Sequence, residues 1–145
     1  VDSLVSQIRK ILRTSGQHNI ALFGAGHLGR AIASSDIFAD HGFRVVALFD
    51  KDPAVVGKRV AGFVVQLVDS LARVAEEHRV DMGIITVPAE AAQSVAEAMV
   101  AAGIGVIWNY APTTLRLDAG IYVQNQDLAA ELALLSYQIV RRRGG

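Results

Sequence analysis

The amino-acid sequence predicts an α/β fold of the Rossmann-like, doubly wound type, with a mostly parallel sheet. Short apolar runs alternate with helical patterns from residue 19 onward, which is typical of strands joined by crossover helices. The apolar runs do not alternate with polar residues, as expected where helices cover both faces of a sheet. A glycine motif, Gly24-x-Gly26-x-x-Gly29, joins the first run to a helical pattern, and such motifs open dinucleotide-binding folds.

The first half of the chain predicts an entry helix, two strands and the helix between them. Residues 2–14 carry an apolar stripe at helical spacing, and we take residues 1–15 as a linker helix. The Rossmann domain is expected over residues 16–126. Its first elements are a strand at Ile20–Phe23, a helix from the glycine motif to Gly42, and a strand at Arg44–Asp50.

The region from residue 60 to residue 126 predicts four more strands, one of them weak, and two helices. Residues 60–65 suggest one weak strand interrupted by Gly62, and a helix is expected from Asp69. The elements that follow are a buried strand at Met82–Val87, a helix with Pro88 in its first turn that ends at Gly103, a strand at Val106–Asn109 and a short strand at Ile121–Val123.

The last predicted helix begins at Asp127 and reaches about Arg141. Ten of the fourteen residues from Asp127 to Val140 are apolar, and a helix that is apolar over most of its circumference is buried on more than one side. We therefore expect residues 127–145 to form a dimerisation helix and tail that pack on a second copy of the chain. A terminal helix that packs only on its own sheet is the alternative.

Composition restricts the classes of function. The chain has 145 residues, which fits one domain, with 14 basic and 14 acidic side chains. This balance argues against nucleic-acid binding by the chain alone, which usually requires a basic face. Cysteine is absent, so disulfides and thiolate metal sites are excluded. We find no signal peptide and no apolar run of about 18 residues, and we expect a cytoplasmic protein. Because the chain begins with Val1 rather than Met, we expect a fragment or a processed product.

The glycine motif has the spacing of a diphosphate site. Gly24 allows a tight turn, Gly26 lets the backbone approach a pyrophosphate, and Gly29 lets the helix pack closely on the sheet. The first amides of that helix have no partners within it and lie at the positive end of its dipole, so they attract phosphate. The residues between the glycines are predicted to contact the cofactor as well: Ala25, His27 and Leu28.

Asp50 is the predicted ribose-binding residue. It ends the second strand, 21 positions after Gly29 (50 − 29), close to the spacing of about 20 residues expected for the carboxylate that binds the ribose of NAD. A carboxylate at this place repels a 2′-phosphate, so NAD is expected rather than NADP. Lys51 beside it weakens that preference and is included in the predicted site. A plain turn role for Asp50, ahead of Asp52-Pro53, is the alternative.

Two further strand ends complete the predicted site. Ligands of open α/β sheets bind at the carboxyl ends of the strands, where this sequence has Thr86-Val87-Pro88 and Asn109-Tyr110-Ala111-Pro112. We predict that both segments form walls for the nicotinamide end. Ordinary strand-to-helix turns are the alternative, since proline is common there.

No catalytic or metal-binding motif is evident. The four histidines are scattered, and nucleophile-elbow, P-loop and zinc motifs are absent. The dinucleotide fold uses almost the whole chain, so no second domain remains to hold a substrate. We expect a binding domain with no catalytic residues and no metal, rather than an enzyme.

Together these motifs resemble the C-terminal NAD(H)-binding domain of the Rex redox-sensing transcriptional repressors. The resemblance covers nearly the whole chain. It is carried by the glycine motif and by the segments Ile8–Leu12, Phe49–Pro53, Val56-Gly57, Thr86–Gln93, Asn109–Pro112 and Asn125–Leu132.

The resemblance implies a homodimer that binds NADH and NAD+ in this domain and operator DNA through an N-terminal winged helix, with NADH releasing the DNA. It also implies that the C-terminal helix is exchanged between subunits and that Asp127 lies near the partner's nicotinamide region. The winged helix is missing from this sequence, so the chain alone is not expected to bind operator DNA. Ser35 stands where the family often has a tyrosine that links the cofactor to the partner's helix, which bears on switching rather than on binding.

Two other functions stay open on the sequence. The chain could be the nucleotide-binding fragment of an NAD-dependent reductase or dehydrogenase whose catalytic domain is missing. It could also be a CoA-binding domain, in which the glycine loop would hold a phosphate of CoA and the ribose carboxylate would not be needed.

Overall fold

The computed structural model describes residues 18–34 and 42–125. The expected linker helix at residues 1–15, Ser35, and the expected C-terminal helix with Asp127 lie outside these ranges. The described elements are β1 (His18–Phe23), α1 (His27–Ala33), β2 (Phe43–Phe49), β3 (Arg59–Val60), β4 (Phe63–Val64), a 3-10 turn (Val68–Ser70), α2 (Leu71–Glu77), β5 (Val80–Ile85), α3 (Ala89–Ala101), β6 (Val106–Asn109) and β7 (Tyr122–Asn125).

Five strands form one sheet in the order β2-β1-β5-β6-β7, and every pairing in it is parallel. The chain winds outward from β1 to β2 and then crosses back to continue from β5 in the opposite direction. The reversal leaves a crevice between the carboxyl ends of β1 and β5, which is the usual ligand position in doubly wound sheets. The predicted fold class is confirmed.

Both faces of the central part of the sheet are buried. Neighbouring residues of each strand point to opposite sides, and both sets of side chains enter apolar clusters. Ala21, Phe23 and Phe49 face a cluster formed with α2 and α3. Ile20 and Leu22 face a second cluster that includes Ile32 of α1. Five of these six side chains are at most 2% exposed, and Ile32 is 8% exposed. The apolar runs of β1 and β2 therefore form strands covered on both faces.

A two-stranded hairpin, β3 and β4, follows β2 in the chain and lies beside it. β3 and β4 pair antiparallel with each other, and only Gln66 joins the main sheet, through a bridge to Phe49. The single weak strand predicted over residues 60–65 is therefore wrong. Ala61 and Gly62 both have positive φ, 51° and 88°, and form the two-residue turn that reverses the chain. Turns with two positive φ values are favoured in hairpins because their twist matches that of the paired strands.

The other differences from prediction concern element ends. β5 begins at Val80 and ends at Ile85, so Thr86 and Val87 lie in the loop rather than in the strand. Pro88 precedes the first residue of α3 instead of lying in its first turn. β7 extends to Asn125, two residues beyond the predicted end. Among the described residues, no helix is long and apolar enough to cross a membrane.

Candidate functional site

The glycine loop connects β1 to α1 at the centre of the carboxyl edge. Its first residue continues the sheet, since the Gly24 amide donates to the Phe49 carbonyl at 2.8 Å. The Thr86 amide donates to the Phe23 carbonyl at 2.8 Å. Gly24 has a φ of 109°, a conformation that other residues rarely adopt. The loop is thus tied to both neighbouring strands where it leaves the sheet.

The three glycines of the motif have different surroundings. A Cβ on Gly29 would overlap the carbonyl oxygen of Gly24, and a Cβ on Gly24 would overlap the Thr86 hydroxyl. A Cβ on Gly26 would meet no atom of the chain within 4 Å, and the φ of Gly26, −77°, suits any residue. The folded chain itself therefore requires Gly24 and Gly29, whereas Gly26 leaves open space beside the backbone.

The amides that border this open space are unused. The first amide of the loop region to bond within the helix is that of Arg30, which donates to the Gly26 carbonyl at 2.9 Å. Within the described residues, no hydrogen bond is donated by the amides of Gly26, His27, Leu28 and Gly29. These are the four unpaired N–H groups of a helix start, where the dipole adds partial positive charge. The arrangement can accept a diphosphate.

Asp50 lies directly beside this loop. Its Oδ2 accepts a hydrogen bond from the Ala25 amide at 2.8 Å, and its Oδ1 accepts one from the Asp52 amide at 3.0 Å. The second bond is the turn role considered as an alternative from the sequence. A carboxylate has about four acceptor positions, so two remain for ribose hydroxyls. Asp50 therefore both orders the loop and keeps acceptor capacity at the crevice.

A cavity of about 170 Å³ opens next to Asp50 and Lys51. Its walls are mainly apolar, and most of them belong to the loop after β5 and to α3: Phe23, Val68, Val87, Ala91, Ser94, Val95 and Ala98. A small apolar cavity beside the Asp50 carboxylate suits a flat heteroaromatic ring. Of this apolar lining, only Val87 was among the site residues predicted from the sequence. The spacing of Ala91, Val95 and Ala98 along one helix face was the signal that could have identified the rest.

The loop after β5 contacts the glycine loop through Thr86 and lines the cavity through Val87. The Thr86 hydroxyl donates to the Phe23 carbonyl at 2.8 Å and lies 3.2 Å from the Gly24 carbonyl, so it closes the space next to the glycines. Val87 lines the cavity beside Asp50. The sequence predicted that this segment forms a wall at the nicotinamide end of the site. In the structure, Val87 lines the same cavity as Asp50.

Asn109, at the end of β6, is completely buried. Its Oδ1 accepts from the Ala111 amide at 3.0 Å. Its Nδ2 faces the carbonyls of Ala111 and Thr113 and the side chain of Asn125, at 3.2, 3.1 and 3.0 Å. The amide group is fully used within the chain, so Asn109 acts on any ligand only through the loop it holds. That loop contains the other predicted residues, Tyr110, Ala111 and Pro112.

The predicted site residues therefore meet at one edge of the sheet. The glycine loop lies at the centre, Asp50 and Lys51 lie on the β2 side, and residues 110–112 lie on the β6 side. Asp127 lies outside the described residues. In the part of the chain that the structure describes, no group of three or more acidic or histidine side chains is placed to hold a metal ion.

The chain matches one protein-family model and a group of transcriptional repressors. Residues 15–113 match a protein family described as the CoA binding domain. The chain is 43% identical over 144 residues to the redox-sensing transcriptional repressor Rex of Streptomyces griseus, which covers 99% of this chain and 57% of that protein. It is 40% identical over 143 residues to Rex 1 of Thermotoga maritima, covering 98% of this chain and 68% of that protein. The chain thus spans little more than half the length of the Streptomyces relative.

Solved structures agree with these relatives. A Rex-family repressor called RSP, crystallised in complex with β-NADH, superposes with a TM-score of 0.77 at 30% identity, covering 98% of this chain and 69% of that chain. The same repressor in complex with β-NAD+ and operator DNA gives a TM-score of 0.76 at 30% identity, covering 98% and 65%.

Proposed function

This chain belongs to the CoA binding domain family and to the Rex redox-sensing transcriptional repressors, and we propose from that premise that it is the NAD(H)-sensing and dimerisation part of such a repressor. A winged-helix domain that is not part of this sequence binds operator DNA, and the NADH/NAD+ ratio controls that binding. The observation that carries the proposal is the open space over Gly26, bordered by unused amides and by the Asp50 carboxylate.

The residues of the carboxyl edge fit the parts of a dinucleotide in order. The amides of Gly26–Gly29 bind the pyrophosphate, and Asp50 binds the ribose of the adenosine half. The apolar cavity beside Asp50 takes the adenine ring. The second half of the cofactor then lies across the crevice, toward the loop after β6, because the two mononucleotide halves bind on opposite sides of the switch point.

The domain acts by binding and not by turnover. NADH shifts the equilibrium between a DNA-bound and a released arrangement of the dimer. The size of this shift is set by the difference between the affinities of NADH for the two arrangements. The related proteins are named redox-sensing transcriptional repressors, which supports a sensing role. We propose a cytoplasmic sensor without catalytic residues or a metal. Residues 127–145 form the dimer contact, and Asp127 approaches the partner's nicotinamide.

CoA is the second candidate ligand, favoured by the family match over residues 15–113. Its adenosine diphosphate would fit the same amides and the same apolar cavity. CoA carries a phosphate on its ribose, however, and the Asp50 carboxylate would repel that group. Asp50 therefore favours the unphosphorylated adenosine ribose of NAD(H).

Calorimetric titration of the chain with NADH, NAD+, NADPH and CoA tests the proposal. We expect NADH and NAD+ to bind in the micromolar range or tighter, and NADPH and CoA to bind at least about tenfold more weakly, which corresponds to roughly 1.4 kcal/mol. Absence of NADH binding would refute the proposal, and tighter binding of CoA than of NADH would select the second candidate.

A further inference from the structure

A twelve-residue connection, 110–121, joins β6 to β7 without a helix. Parallel strands are usually joined through a crossover helix, whose backbone hydrogen bonds are satisfied internally. This connection has few backbone bonds of its own: the Thr113 amide donates to the Ala111 carbonyl at 2.8 Å, and the Ile121 amide to the Asp118 carbonyl at 3.0 Å. Something other than regular secondary structure must therefore hold it in place.

Gln93 of α3 holds the middle of the connection. Its Nε2 donates to the Arg116 carbonyl at 2.8 Å, and its Oε1 accepts from the Arg116 amide at 2.8 Å. The side-chain amide thus pairs with both backbone groups of one residue, as a neighbouring strand would. Asn109 holds the start of the connection through Ala111 and Thr113. Two side-chain amides, together with the packing of Leu115, Leu117 and Ile121 against the core, hold the connection in place of a helix.

We propose that Gln93 is a positioning residue for the nicotinamide side of the site, because it fixes the connection whose first residues, 110–112, form the wall beyond the crevice. The inference rests on the proposed function. α3 already lines the cavity beside Asp50 through Ala91, Val95 and Ala98. The same helix therefore orients the adenosine side directly and the opposite side through Gln93.

Loss of the Gln93 pairing would act on one half of the ligand only. A connection with few internal hydrogen bonds gains freedom when its tether is removed, and ordering it again on ligand binding has an entropic cost. ADP-ribose occupies the glycine loop, Asp50 and the apolar cavity and does not reach residues 110–112 with a nicotinamide. NADH reaches both halves. The ratio of the two affinities therefore isolates the effect of the connection.

The experiment compares the dissociation constants of NADH and ADP-ribose for the unmodified chain, Gln93→Met and Gln93→Glu. Gln93→Met keeps the length of the side chain and removes both bonds to Arg116. Gln93→Glu keeps the acceptor and removes the donor. We expect NADH affinity to fall about tenfold in Gln93→Met, the effect of losing two ordinary hydrogen bonds, and at least as much in Gln93→Glu, whose second carboxylate oxygen would face the Arg116 carbonyl and the Glu97 carboxylate. ADP-ribose affinity is expected to stay within about twofold, which also shows that the variants are folded.

Glu97→Ala is the matched control. Glu97 is the other partner of the Gln93 side chain, at 3.4 Å from Nε2, and its removal leaves the pairing with Arg116 intact. Its NADH and ADP-ribose affinities should equal those of the unmodified chain. If both Gln93 variants bind NADH as tightly as the unmodified chain, or lose NADH and ADP-ribose affinity in equal proportion, the inference is overturned while the proposed function stands. If the unmodified chain binds neither ligand, both fall together.

Discussion

Asp50 is the residue on which the adenosine side of the proposed site depends. Its two oxygens accept from Ala25 in the glycine loop and from Asp52 in the next turn, so the carboxylate cannot rotate away from the crevice without breaking a bond. A negative charge fixed in this way discriminates between nucleotides more strongly than a mobile one, because a phosphorylated ribose cannot displace it. Under the proposed function, loop ordering and ligand selection therefore come from the same side chain.

Replacement of Asp50 by alanine is expected to weaken NADH binding by about 1–3 kcal/mol, the range for hydrogen bonds to a charged group. The preference for NADH over NADPH should decrease at the same time, since the charge that repels the 2′-phosphate is gone. Titration calorimetry with both nucleotides measures the two effects. A loss of affinity for NADH and NADPH in equal proportion would mean that Asp50 only orders the loop.

Asp52→Ala is the matched control for that measurement. The Asp52 carboxylate accepts from the Ala54 amide at 2.9 Å, so it has a similar turn role two residues further along the chain. Its removal should leave the affinities for NADH and NADPH within about twofold of their original values.

The glycines make a second prediction at the residue scale. Gly26→Ala should change the free energy of unfolding by less than about 1 kcal/mol, because its φ is ordinary and the added Cβ meets open space. It should nevertheless lower NADH affinity about tenfold or more, since the methyl group occupies the place of the pyrophosphate. Gly29→Ala should lower the free energy of unfolding by about 1–3 kcal/mol through overlap with the Gly24 carbonyl. Urea unfolding and calorimetry separate the two effects, and unchanged NADH binding by Gly26→Ala would contradict the prediction.

At the residue scale, the sequence predicted where site residues lie in the sheet better than it predicted their hydrogen-bond partners. The spacing from Gly29 to Asp50 placed the carboxylate at the correct sheet edge, because strand and helix lengths are regular. The spacing could not show that Asp50 binds Ala25, or that Asn109 is buried with its amide used internally. Those contacts depend on loop conformations, which are decided by side chains distant in sequence.

At the scale of elements, the parallel strands were predictable and the hairpin was not. Most residues of β1, β2, β5 and β6 belong to apolar runs, and these runs form the central strands of the folded sheet. Residues 60–65 form two strands of two residues each, too short for any periodicity to appear. The turn between them is Ala61-Gly62, whereas the sequence signal for such a turn is Asn-Gly or Asp-Gly. Alanine at a positive φ is uncommon, so nothing in the sequence indicated a reversal there.

The same turn leads to a prediction about stability. Ala61 has a φ of 51°, and asparagine adopts this conformation more readily than alanine does. Ala61→Asn should therefore raise the free energy of unfolding by about 0.5–1 kcal/mol. Ala61→Val should lower it by a similar amount or more, because β-branched residues tolerate positive φ poorly. Urea denaturation of the two variants checks the signs, and a stabilising valine would contradict the turn geometry.

At the scale of the whole molecule, the site exists because three loops reach the same edge of one sheet. The glycine loop, the Asp50 turn and the connection after β6 are separated by 20 residues or more in the sequence, and the strand order brings them together. The doubly wound topology was predictable from the alternation of elements. The division of the edge into an apolar cavity and an amide-held wall was not, because it arises from the way α3 packs between them.

The assembly state is the last property that the sequence predicts. The apolar stripe of Leu128, Leu132, Leu135 and Ile139 needs a covering surface, and a second copy of the chain is the simplest one. The 145-residue chain should therefore sediment as a dimer. A chain ending at residue 126 should be monomeric, and Leu132→Glu should weaken the dimer because a charge would be buried without a partner. A chain that lacks only residues 142–145 is the control and should remain dimeric. Analytical ultracentrifugation distinguishes these states. A dimer that persists both without residues 127–145 and with glutamate at position 132 would place the subunit contact elsewhere on the molecule.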